Sequence, residues 1–412
     1  MKWLTHDVLL ISLSAFFADA GYQALIAGFP LFLVLYLHAP AYYLGIVMAF
    51  AYGIGSLFAY IGGKLADRFG KKAVALFGNL LITILSFTGF AGSALAVGAI
   101  FSTGWWFRNF RTPARRAMLG DITKKLDKGK VFGFLNALDI GGGLVAVTYL
   151  SFGIFLHVPF SLLFLVTIVP ILISSLCLAL VHYKGLPARK PSSKLNDANA
   201  KLASSIAKHG STHAADTSGG APGSSNAPFA SGSSSRSYYA VLAATALFGL
   251  SFYSFSFPVL TVAQQSNSVL GASSYFVFLI FSALFGYILG SRIKDMLFGL
   301  ALLGYMLAGL GSLALGLAFS MHANVLVSYA AIALMGIGAG AIETFEPAII
   351  SMLRKKSASG SGMGMLTSSR SVGLFFSNLA VGFLYMVGPL FAYSFSAVLA
   401  IIAGIVLLWA RR

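Results

Sequence analysis

Asp19 is one of the few ionisable residues that lie inside the long apolar stretches of this sequence. It lies about 12 residues into the first stretch, which is ~18 Å along a helix and near the middle of a hydrocarbon layer of about 30 Å. A carboxyl group in apolar surroundings resists ionisation and can exchange a proton. Tyr22 and Gln23 follow on nearby helix faces, so the three residues are candidates for binding a proton or a solute. The alternative is that the carboxylate only ties neighbouring helices together.

Asp139 and Arg370 form a second set of buried charges, each about nine residues into an apolar stretch. An unpaired charge buried among apolar groups costs several kcal/mol, so each needs a partner close by. The candidates for Asp139 are Arg108, Arg111 and Arg115, and those for Arg370 are Glu343 and Glu346. Two interpretations stay open, because ion pairs of a moving gate and ion pairs that only support packing both need such partners.

Two of these acids and two of these arginines have the i, i+3 spacing that places both side chains on one helix face. Glu343 and Glu346 lie towards one end of their stretch, and Arg108 and Arg111 lie towards the corresponding end of theirs. Arg115 follows on the same helix. We expect the opposite charges to face each other across the mouth of a cavity and form an inner gate. The alternative is a pair of solvated helix ends.

The composition places these charges in a membrane protein. The chain has 412 residues, of which 58% are hydrophobic and only 9% are charged, against roughly a quarter in soluble proteins. Its apolar runs have the length of membrane-crossing helices. The ~10-residue alternating segments of a membrane β-barrel are absent. The single cysteine, Cys177, excludes an internal disulfide, and no metal-ligand spacing is present.

The hydrophobic pattern predicts twelve membrane spans in two sets of six. The spans are 8–37, 41–63, 73–91, 94–112, 131–156 and 158–183, and then 238–263, 273–291, 296–319, 323–344, 361–386 and 389–410. Between the sets lies 185–237, rich in Ser, Ala, Gly, Lys and Pro, which predicts a flexible linker. The predicted fold is therefore an all-α membrane protein with a six-helix half in 1–184 and another in 238–412.

The chain has a net charge of +17, and the basic residues of its connections lie on one side of these spans. Six alternate connections contain no Lys or Arg: His38–Pro40, Gly92–Ser93, His157, Gln264–Ala272, Ser320–His322 and Val387–Gly388. The basic residues lie in the other connections, in the linker and at the C-terminus. Because positive residues flank the cytoplasmic side of membrane helices, both termini and the linker are predicted to be cytoplasmic. Topology thus explains the charge, and no nucleic-acid partner is expected.

The two halves repeat each other. The segments 133–139 and 364–370 align at a constant offset, and Gly142 then falls on Gly373. The hairpin of spans four and five is thus repeated as that of spans ten and eleven, and Asp139 corresponds to Arg370. Two such halves joined by a long linker are typical of transporters built from parallel repeats.

The connection between spans two and three holds a specific motif: Gly63, Leu65, Asp67, Arg68, Gly70, Lys71 and Lys72. It resembles the G-x-L-a-D-r-x-G-r-k signature of the major facilitator superfamily at every defined position. Glycine allows close packing at the turn, and an aspartate is favoured at a helix N-terminus. The resemblance implies a fold of two six-helix halves, alternating access, and a conformational latch in this loop. The alternative is a basic loop that only sets topology.

A second resemblance covers about forty residues. The segments 111–121 and 132–139 are similar to an R-x-P-x-R-x-A-l-x-x-D and F-G-x-x-x-x-x-D pattern in a poorly characterised prokaryotic branch of that superfamily. Asp19 matches an acid that this branch often has in its first span. The resemblance implies a protein of a prokaryotic plasma membrane, but it does not indicate which substrate the protein carries. The Gly-Pro pair of drug antiporters, the paired R-x-G-R-R loops of sugar porters and the E-x-x-E-R pattern of peptide carriers are absent.

Together these features predict a secondary active transporter of a small solute. It would work by alternating access as a monomer in the lipid bilayer, coupled to protons through Asp19. No Walker motif is present, so ATP is not its direct energy source, and no cofactor is expected. The alternative is a membrane receptor or assembly factor that keeps the fold without transport. An enzyme is disfavoured, because no nucleophile–base arrangement occurs.

Overall fold

The computed structural model describes residues 3–123, 128–183, 232–293, 295–353 and 359–411, and within these ranges no β-strand occurs. The first half consists of six helices: α1 His6–Pro30 with a π-helical continuation Leu31–Tyr36; α2 Ala41–Phe69; α3 Lys71–Leu81 with a 3₁₀ continuation Ile82–Phe90; α4 Ala94–Ile122; α5 Lys128–Phe155; and α6 in two segments, Phe160–Val166 and Ile168–Leu180.

The second half repeats this order. Its helices are α7 in two segments, Gly232–Ser251 and Ser256–Gln265; α8 Ser268–Arg292; α9 Met296–Gly299 with the continuing Leu300–Met306 and Leu307–Ser320; α10 Val325–Leu353; α11 Ser359–Val387; and α12 Pro389–Arg411. Most of the predicted linker lies outside the described residues, and α7 already begins at Gly232, before the predicted boundary at 238.

Eleven of these spans are long and apolar enough to cross a membrane. The twelfth is α4, which has the length of 29 residues but contains four arginines, and these make it less apolar. Large apolar side chains point outwards from the bundle; Leu57, Phe152 and Leu176 are more than half exposed. A soluble monomer rarely exposes so much apolar surface, whereas lipid covers it in a membrane. The predicted all-α fold of two six-helix halves is confirmed.

The spans differ from their predicted bounds mainly at one end of the bundle. α4 and α10 continue to Ile122 and Leu353, well past the predicted limits at 112 and 344, because their final turns are polar and were assigned to loops. This end holds the connections after α2, α4, α8 and α10, in which the basic residues are concentrated, and we call it the basic end. At the opposite end, His38, His157 and His322 close three connections with positive φ angles.

The two halves touch closely at the end opposite the basic one. A Cβ atom on Gly45 of α2 would lie 2.7 Å from the Cα atom of Gly382 on α11, so only glycine allows this approach of the helices. Tyr42 and Phe383 stack beside it, with ring centroids 5.6 Å apart. Between α5 and α8, the Oγ atom of Ser273 donates to the Oγ atom of Ser151 at 3.3 Å.

Towards the basic end the same helices enclose a cleft of about 770 Å³ between the halves. Asn136 and Ala137 of α5 lie on one wall and Ser282 and Tyr287 of α8 on the other. The structure is therefore closed at one end and open at the basic end.

A pair of cysteines tests this arrangement. With the natural Cys177 changed to Ser and a protease site inserted in 185–237, Ser151→Cys with Ser273→Cys should form a disulfide, because their Oγ atoms are already 3.3 Å apart. The two halves should then migrate together on a gel after cleavage until a reductant is added.

Asn136→Cys with Tyr287→Cys is the matched control, since this pair also lies on α5 and α8 but across the open cleft. It should stay uncrosslinked under the same oxidation. Efficient crosslinking of the control pair with none at Ser151 and Ser273 would contradict the arrangement.

Candidate functional site

Asp19 and Asp139 meet where α1 packs against α5. A Cβ atom on Gly142 would lie 2.1 Å from the backbone oxygen of Phe16, so the glycine lets the two helices touch. Asp139 precedes Gly142 by about one helical turn, and Asp19 follows Phe16 by the same distance. The two carboxyl groups are within hydrogen-bonding reach, and the side chain of Asp19 is buried. Two carboxylates this close would repel each other if both were ionised.

Three arginines of α4 face these acids. Arg108, Arg111 and Arg115 are spaced i, i+3, i+7 and therefore lie on one helix face. The Nη2 atom of Arg115 lies 3.3 Å from the Oδ1 atom of Asp139, and its side chain is 3% exposed. Asp139 thus has the partner that its burial requires, and that partner is one of the three predicted from the sequence.

Arg111 has a different partner, which the sequence analysis missed. Its Nη1 atom donates to the Oδ1 atom of Asn79 on α3 at 2.5 Å, and the arginine is 1% exposed. Asn79 in turn donates through Nδ2 to the Oγ atoms of Ser174 and Ser175 on α6. An asparagine inside an apolar run is itself a signal, because a buried amide needs partners.

Arg108 is the most accessible of the three. Its guanidinium group lies 4.9 Å from the ring centroid of Trp105 and 5.4 Å from that of Tyr22. The Nε atom also donates to the Tyr22 hydroxyl at 3.4 Å. Within the described ranges Arg108 has no ion pair. The ring and the hydroxyl of Tyr22 thus both contact the Arg108 cation.

Gln23 links the cluster to the second half. Its Nε2 atom donates to the Oδ1 atom of Asp19 at 3.3 Å, and its Oε1 atom accepts from the hydroxyl of Tyr275 on α8 at 3.0 Å. The structure therefore brings the predicted residues Asp19, Tyr22, Gln23 and Asp139 into one network. Tyr275 was not predicted, since nothing in the sequence indicates which face of α8 points to α1.

Arg370 occupies the corresponding place in the second half. It pairs with Glu343 at 2.5 Å and with the fully buried Glu346. Glu346 also accepts from the Tyr305 hydroxyl at 2.6 Å and from Thr245 at 3.3 Å. The buried pair joins neighbouring helices, α10 and α11, as the pair of Arg115 and Asp139 joins α4 and α5.

The two buried pairs are equivalent by repeat, with the charges reversed. Arg115 and Asp139 are 24 residues apart, and so are Glu346 and Arg370. In the first half the first helix of the hairpin, α4, carries the cation. In the second half the first helix, α10, carries the anion. The matched positions of Asp139 and Arg370, inferred from the repeat, thus have matched partners.

The inner gate predicted between the halves is not formed in this state. Among the described residues no ion pair joins Arg108, Arg111 or Arg115 to Glu343 or Glu346. Both glutamates instead pair within their own half, because α11 packs next to α10 whereas the cleft separates the halves at the basic end. Glu343 lines that cleft together with Arg116 of the first half, so opposite charges do flank its mouth.

The predicted latch motif lies at the basic end. Lys71 pairs with Asp121 of α4 at 2.5 Å, and Lys72 donates to the backbone oxygens of Ala179 and Val181 at 2.7 and 2.8 Å, which caps the end of α6. Gly70 has a φ angle of 96°, which explains the glycine at this turn. These contacts all stay within the first half.

The other motif residues lie on α2 and are exposed or half-buried. Asp67 and Arg68 are exposed near the end of α2, and Arg68 lies over the ring of Phe69 at 5.2 Å. Gly63 and Leu65 are half-buried on the same helix. Asp67 makes no ion pair within the described ranges, so the contact by which it would act as a latch stays a prediction.

Burial and the hydrogen bond that Tyr183 donates to Asp121 raise the pKa of Tyr183 above its usual value. The phenol therefore stays a hydrogen-bond donor at neutral pH. Asp121 accepts from Lys71 as well, so it joins the loop after α2 to the chain that leaves α6. This second acid of the loop region was part of the branch motif but had no predicted role.

A cavity lies beside the cluster where α7 is interrupted. The break falls at 252–255, and the backbone N–H group of Ser254 donates to the Oδ1 atom of Asn378 on α11 at 2.9 Å. The adjoining cavity has a volume of about 140 Å³. Interrupted helices in membranes are found where the backbone is buried in protein or lines a cavity.

His6, Asp7 and His182 lie close together at the basic end, although no metal site was expected. Their possible ligand atoms are within 4.8 Å of one another. The two histidine side chains are 70% and 86% exposed. Exposed groups of this kind are common in proteins without a metal ion.

Comparison with known proteins agrees with this architecture. The sequence profile of the Major Facilitator Superfamily matches residues 11–307. No curated protein sequence matches the chain. The fold is similar to that of the POT family transporter PepTSo in an in meso crystal structure, at 16% identity and a TM-score of 0.75, covering 99% of this chain and 98% of that one.

Two further solved structures are similar. One is a POT family transporter in complex with 5-aminolevulinic acid, at 14% identity and a TM-score of 0.75, covering 98% of this chain and 95% of that one. The other is a mutant of the nucleoside transporter NupG, at 10% identity and a TM-score of 0.72, covering 98% and 100%. At such identities these similarities establish the fold.

The ion pair in the second half gives a prediction about stability. Glu346→Ala should lower the free energy of unfolding by about 3 kcal/mol, because it removes the fully buried partner of Arg370 and the acceptor of the Tyr305 hydroxyl. The measurement is unfolding in mixed detergent micelles.

Glu343→Ala is the matched control, since it removes the other partner of Arg370. Its side chain is 65% exposed, so the loss should be below about 1 kcal/mol. Equal losses for the two variants would show that burial does not decide the contribution of these pairs.

Proposed function

Because the chain belongs to the major facilitator superfamily, whose profile covers most of its length, we propose that it is a proton-coupled secondary transporter of a small solute. The family and the fold are those of a transporter and not of an enzyme. The observation on which the proposal rests is the buried contact of Asp19 with Asp139 beside three arginines.

Proton binding follows from the geometry of the acids. Two carboxyl groups at hydrogen-bonding distance cannot both ionise without strong repulsion, so one of them holds a proton. Asp139 is paired with Arg115 and is stabilised as the anion. Asp19 accepts only from the neutral amide of Gln23 among the described residues, so Asp19 is the group that holds and releases the proton.

Release of this proton creates a charge that must find a partner. Arg111 is close by, and its Nε and Nη2 atoms are buried without hydrogen-bond partners in the described part of the chain. The Asp19 anion would attract this guanidinium group and change the packing of α1 against α4. Protonation of one side chain thereby sets the arrangement of three helices of the first half.

The contact from Gln23 to Tyr275 passes this change to the second half. The other contacts between the halves at the closed end include apolar stacking, a glycine contact, a serine pair and the hydrogen bond that the Oγ atom of Ser256 donates to the Sδ atom of Met48. No buried ion pair among the described residues has to break when the halves separate there. A proton and a solute can therefore shift the equilibrium between the two states with modest differences in binding.

We place the open end in the cytoplasm of a prokaryotic cell, since the basic connections surround it. The solute and the proton would then leave to the cytoplasm from this state. Transport by a single chain is sufficient, because the pathway lies between the two halves of one molecule. A receptor or assembly factor without transport is a weaker proposal, since it gives no role to the paired carboxyl groups.

Asp19→Asn tests the proton coupling. The amide cannot release a proton, so proteoliposomes with an imposed pH gradient should lose at least about tenfold of their solute accumulation, while exchange of solute down its gradient continues. The measurement uses labelled mixtures of organic acids, amino acids, sugars and nucleosides, with an entrapped pH-sensitive dye.

Asp7→Asn is the control, because it makes the same change on the same helix but near the basic end. It should accumulate solute as the unmodified protein does. Full accumulation by Asp19→Asn would contradict coupling at this residue. No movement of any of the four classes by the unmodified protein would contradict transport of common metabolites.

A further inference from the structure

Seven of the sixteen residues that line the cavity at the break in α7 are aromatic. Its walls include Tyr52, Phe252, Phe255, Tyr275 and Phe278. Its volume of about 140 Å³ is close to the ~150 Å³ of a protein cavity that holds one benzene molecule. The cavity therefore has room for a single six-membered ring, and its walls offer faces and edges on which such a ring packs well.

Arg108 does not line this cavity, but only the ring of Trp105 lies between it and Tyr52 of the cavity wall. Its guanidinium group is 4.9 Å from the ring of Trp105, and that ring is 5.1 Å from the ring of Tyr52, which lines the cavity. Unlike Arg115, it has no carboxylate partner within the described ranges, and unlike Arg111 it is partly exposed. The cation held on aromatic faces is thus available to an anionic group of a ligand.

The local balance of charge also favours an anion. Three arginines on one face of α4 lie opposite two acids of α1 and α5, and one of these acids, Asp19, holds a proton under the proposed function. The cluster then has an excess of positive charge in surroundings of low dielectric constant, where an anion is attracted more strongly than in water. A cationic ligand of the same shape would be repelled.

Ser396 supplies a polar group inside the cavity. It is 1% exposed and lines the cavity, and its Oγ atom has no hydrogen-bond partner in the described part of the chain. Ser312 of the same cavity is by contrast bonded to the Tyr253 hydroxyl at 2.9 Å. A buried hydroxyl without a partner is costly, so a polar substituent on a bound ring would be favoured here.

We propose that this site binds a monocyclic aromatic carboxylate. The carboxylate lies towards Arg108, the ring lies between the aromatic walls of the cavity, and a polar ring substituent bonds Ser396. This inference deepens the proposed function and rests on it in one respect, since the ligand bound here is then the transported solute. Binding itself can be measured without transport.

Isothermal titration of the purified full chain in detergent, with 4-hydroxyphenylacetate and its isosteres, tests the proposal. Tyrosol and tyramine keep the ring and the hydroxyl but replace the carboxylate by a neutral and by a cationic group. The acid should bind about tenfold or more tightly than tyrosol, and tyramine and acetate should give no measurable binding. Phenylacetate, which lacks the hydroxyl, should bind about fivefold more weakly than the hydroxylated acid.

Two variants assign these differences to residues. Arg108→Gln should reduce the affinity for the acid to that for tyrosol and leave tyrosol binding unchanged, whereas Arg108→Lys should keep a preference for the acid. Ser396→Ala should remove the difference between 4-hydroxyphenylacetate and phenylacetate. The melting temperature without ligand shows that each variant is folded.

Matched controls exist for both changes. Lys64 also holds a cation over a ring, that of Tyr60 at 4.7 Å, but at the exposed basic end, so Lys64→Gln should change no affinity. Ser12 has an equally buried Oγ atom without a partner but does not line this cavity, so Ser12→Ala should keep the effect of the ring hydroxyl.

The outcomes separate this inference from the proposed function. Equal binding of the acid and tyramine, or no binding of any aromatic acid, would overturn the inference even if other solutes are transported. Selective binding that Arg108→Gln abolishes would support it. If the bound acid is then not accumulated with protons in proteoliposomes, the binding site stands but its ligand is not the transported solute. The proposed function itself fails only if no solute class is moved.

Discussion

The structure depends on one constraint, which is that a charge buried in a membrane protein needs a partner within reach. Each half meets it in the same way, with an ion pair between the two helices of one hairpin. Arg115 and Asp139 do this in the first half, and Glu346 and Arg370 do it in the second. Because each pair lies inside one half, neither has to break when the halves move relative to each other. An ion pair buried between the halves would instead leave two orphaned charges at every opening, each at a cost of several kcal/mol.

Close helix contacts at glycine determine where these charges stand. Gly142 lets α1 touch α5 and thereby brings Asp19 to Asp139, while Gly45 and Gly382 let the halves touch at the closed end. A contact between glycines is shallow and contains no side chain that has to be desolvated or repacked. The same kind of contact thus fixes the acid pair within one half and leaves the boundary between the halves easy to separate.

The fold and much of the cluster could be predicted from the sequence, for identifiable reasons. Long apolar runs and the sidedness of Lys and Arg determine the spans, and the cost of burial requires partners for Asp139 and Arg370. The gate between the halves stays a prediction, since this state is open at the basic end and charge signs alone allow Glu346 to pair with an arginine of either half. Only the positions of the helices decide between them. The break in α7 was missed although two signals flank it, Gly249 just before it and Pro258 in the first turn of the second segment, because the apolar run continues through both.

The two clusters differ in one respect that concerns function. In the second half Glu346 has Arg370, Tyr305 and Thr245 as partners, so its burial is fully compensated. In the first half Arg111 and Arg115 each retain two buried nitrogen atoms without partners in the described residues. A cluster whose buried polar atoms all have partners is stabilised little by a ligand or a proton. A cluster with unpaired buried atoms is stabilised more, because the ligand or the proton changes which atoms are paired. The repeat therefore supplies a structural cluster in one half and a responsive cluster in the other. Tyr52 of the first half connects the responsive cluster to the cavity, because its ring packs on Trp105, which contacts Arg108.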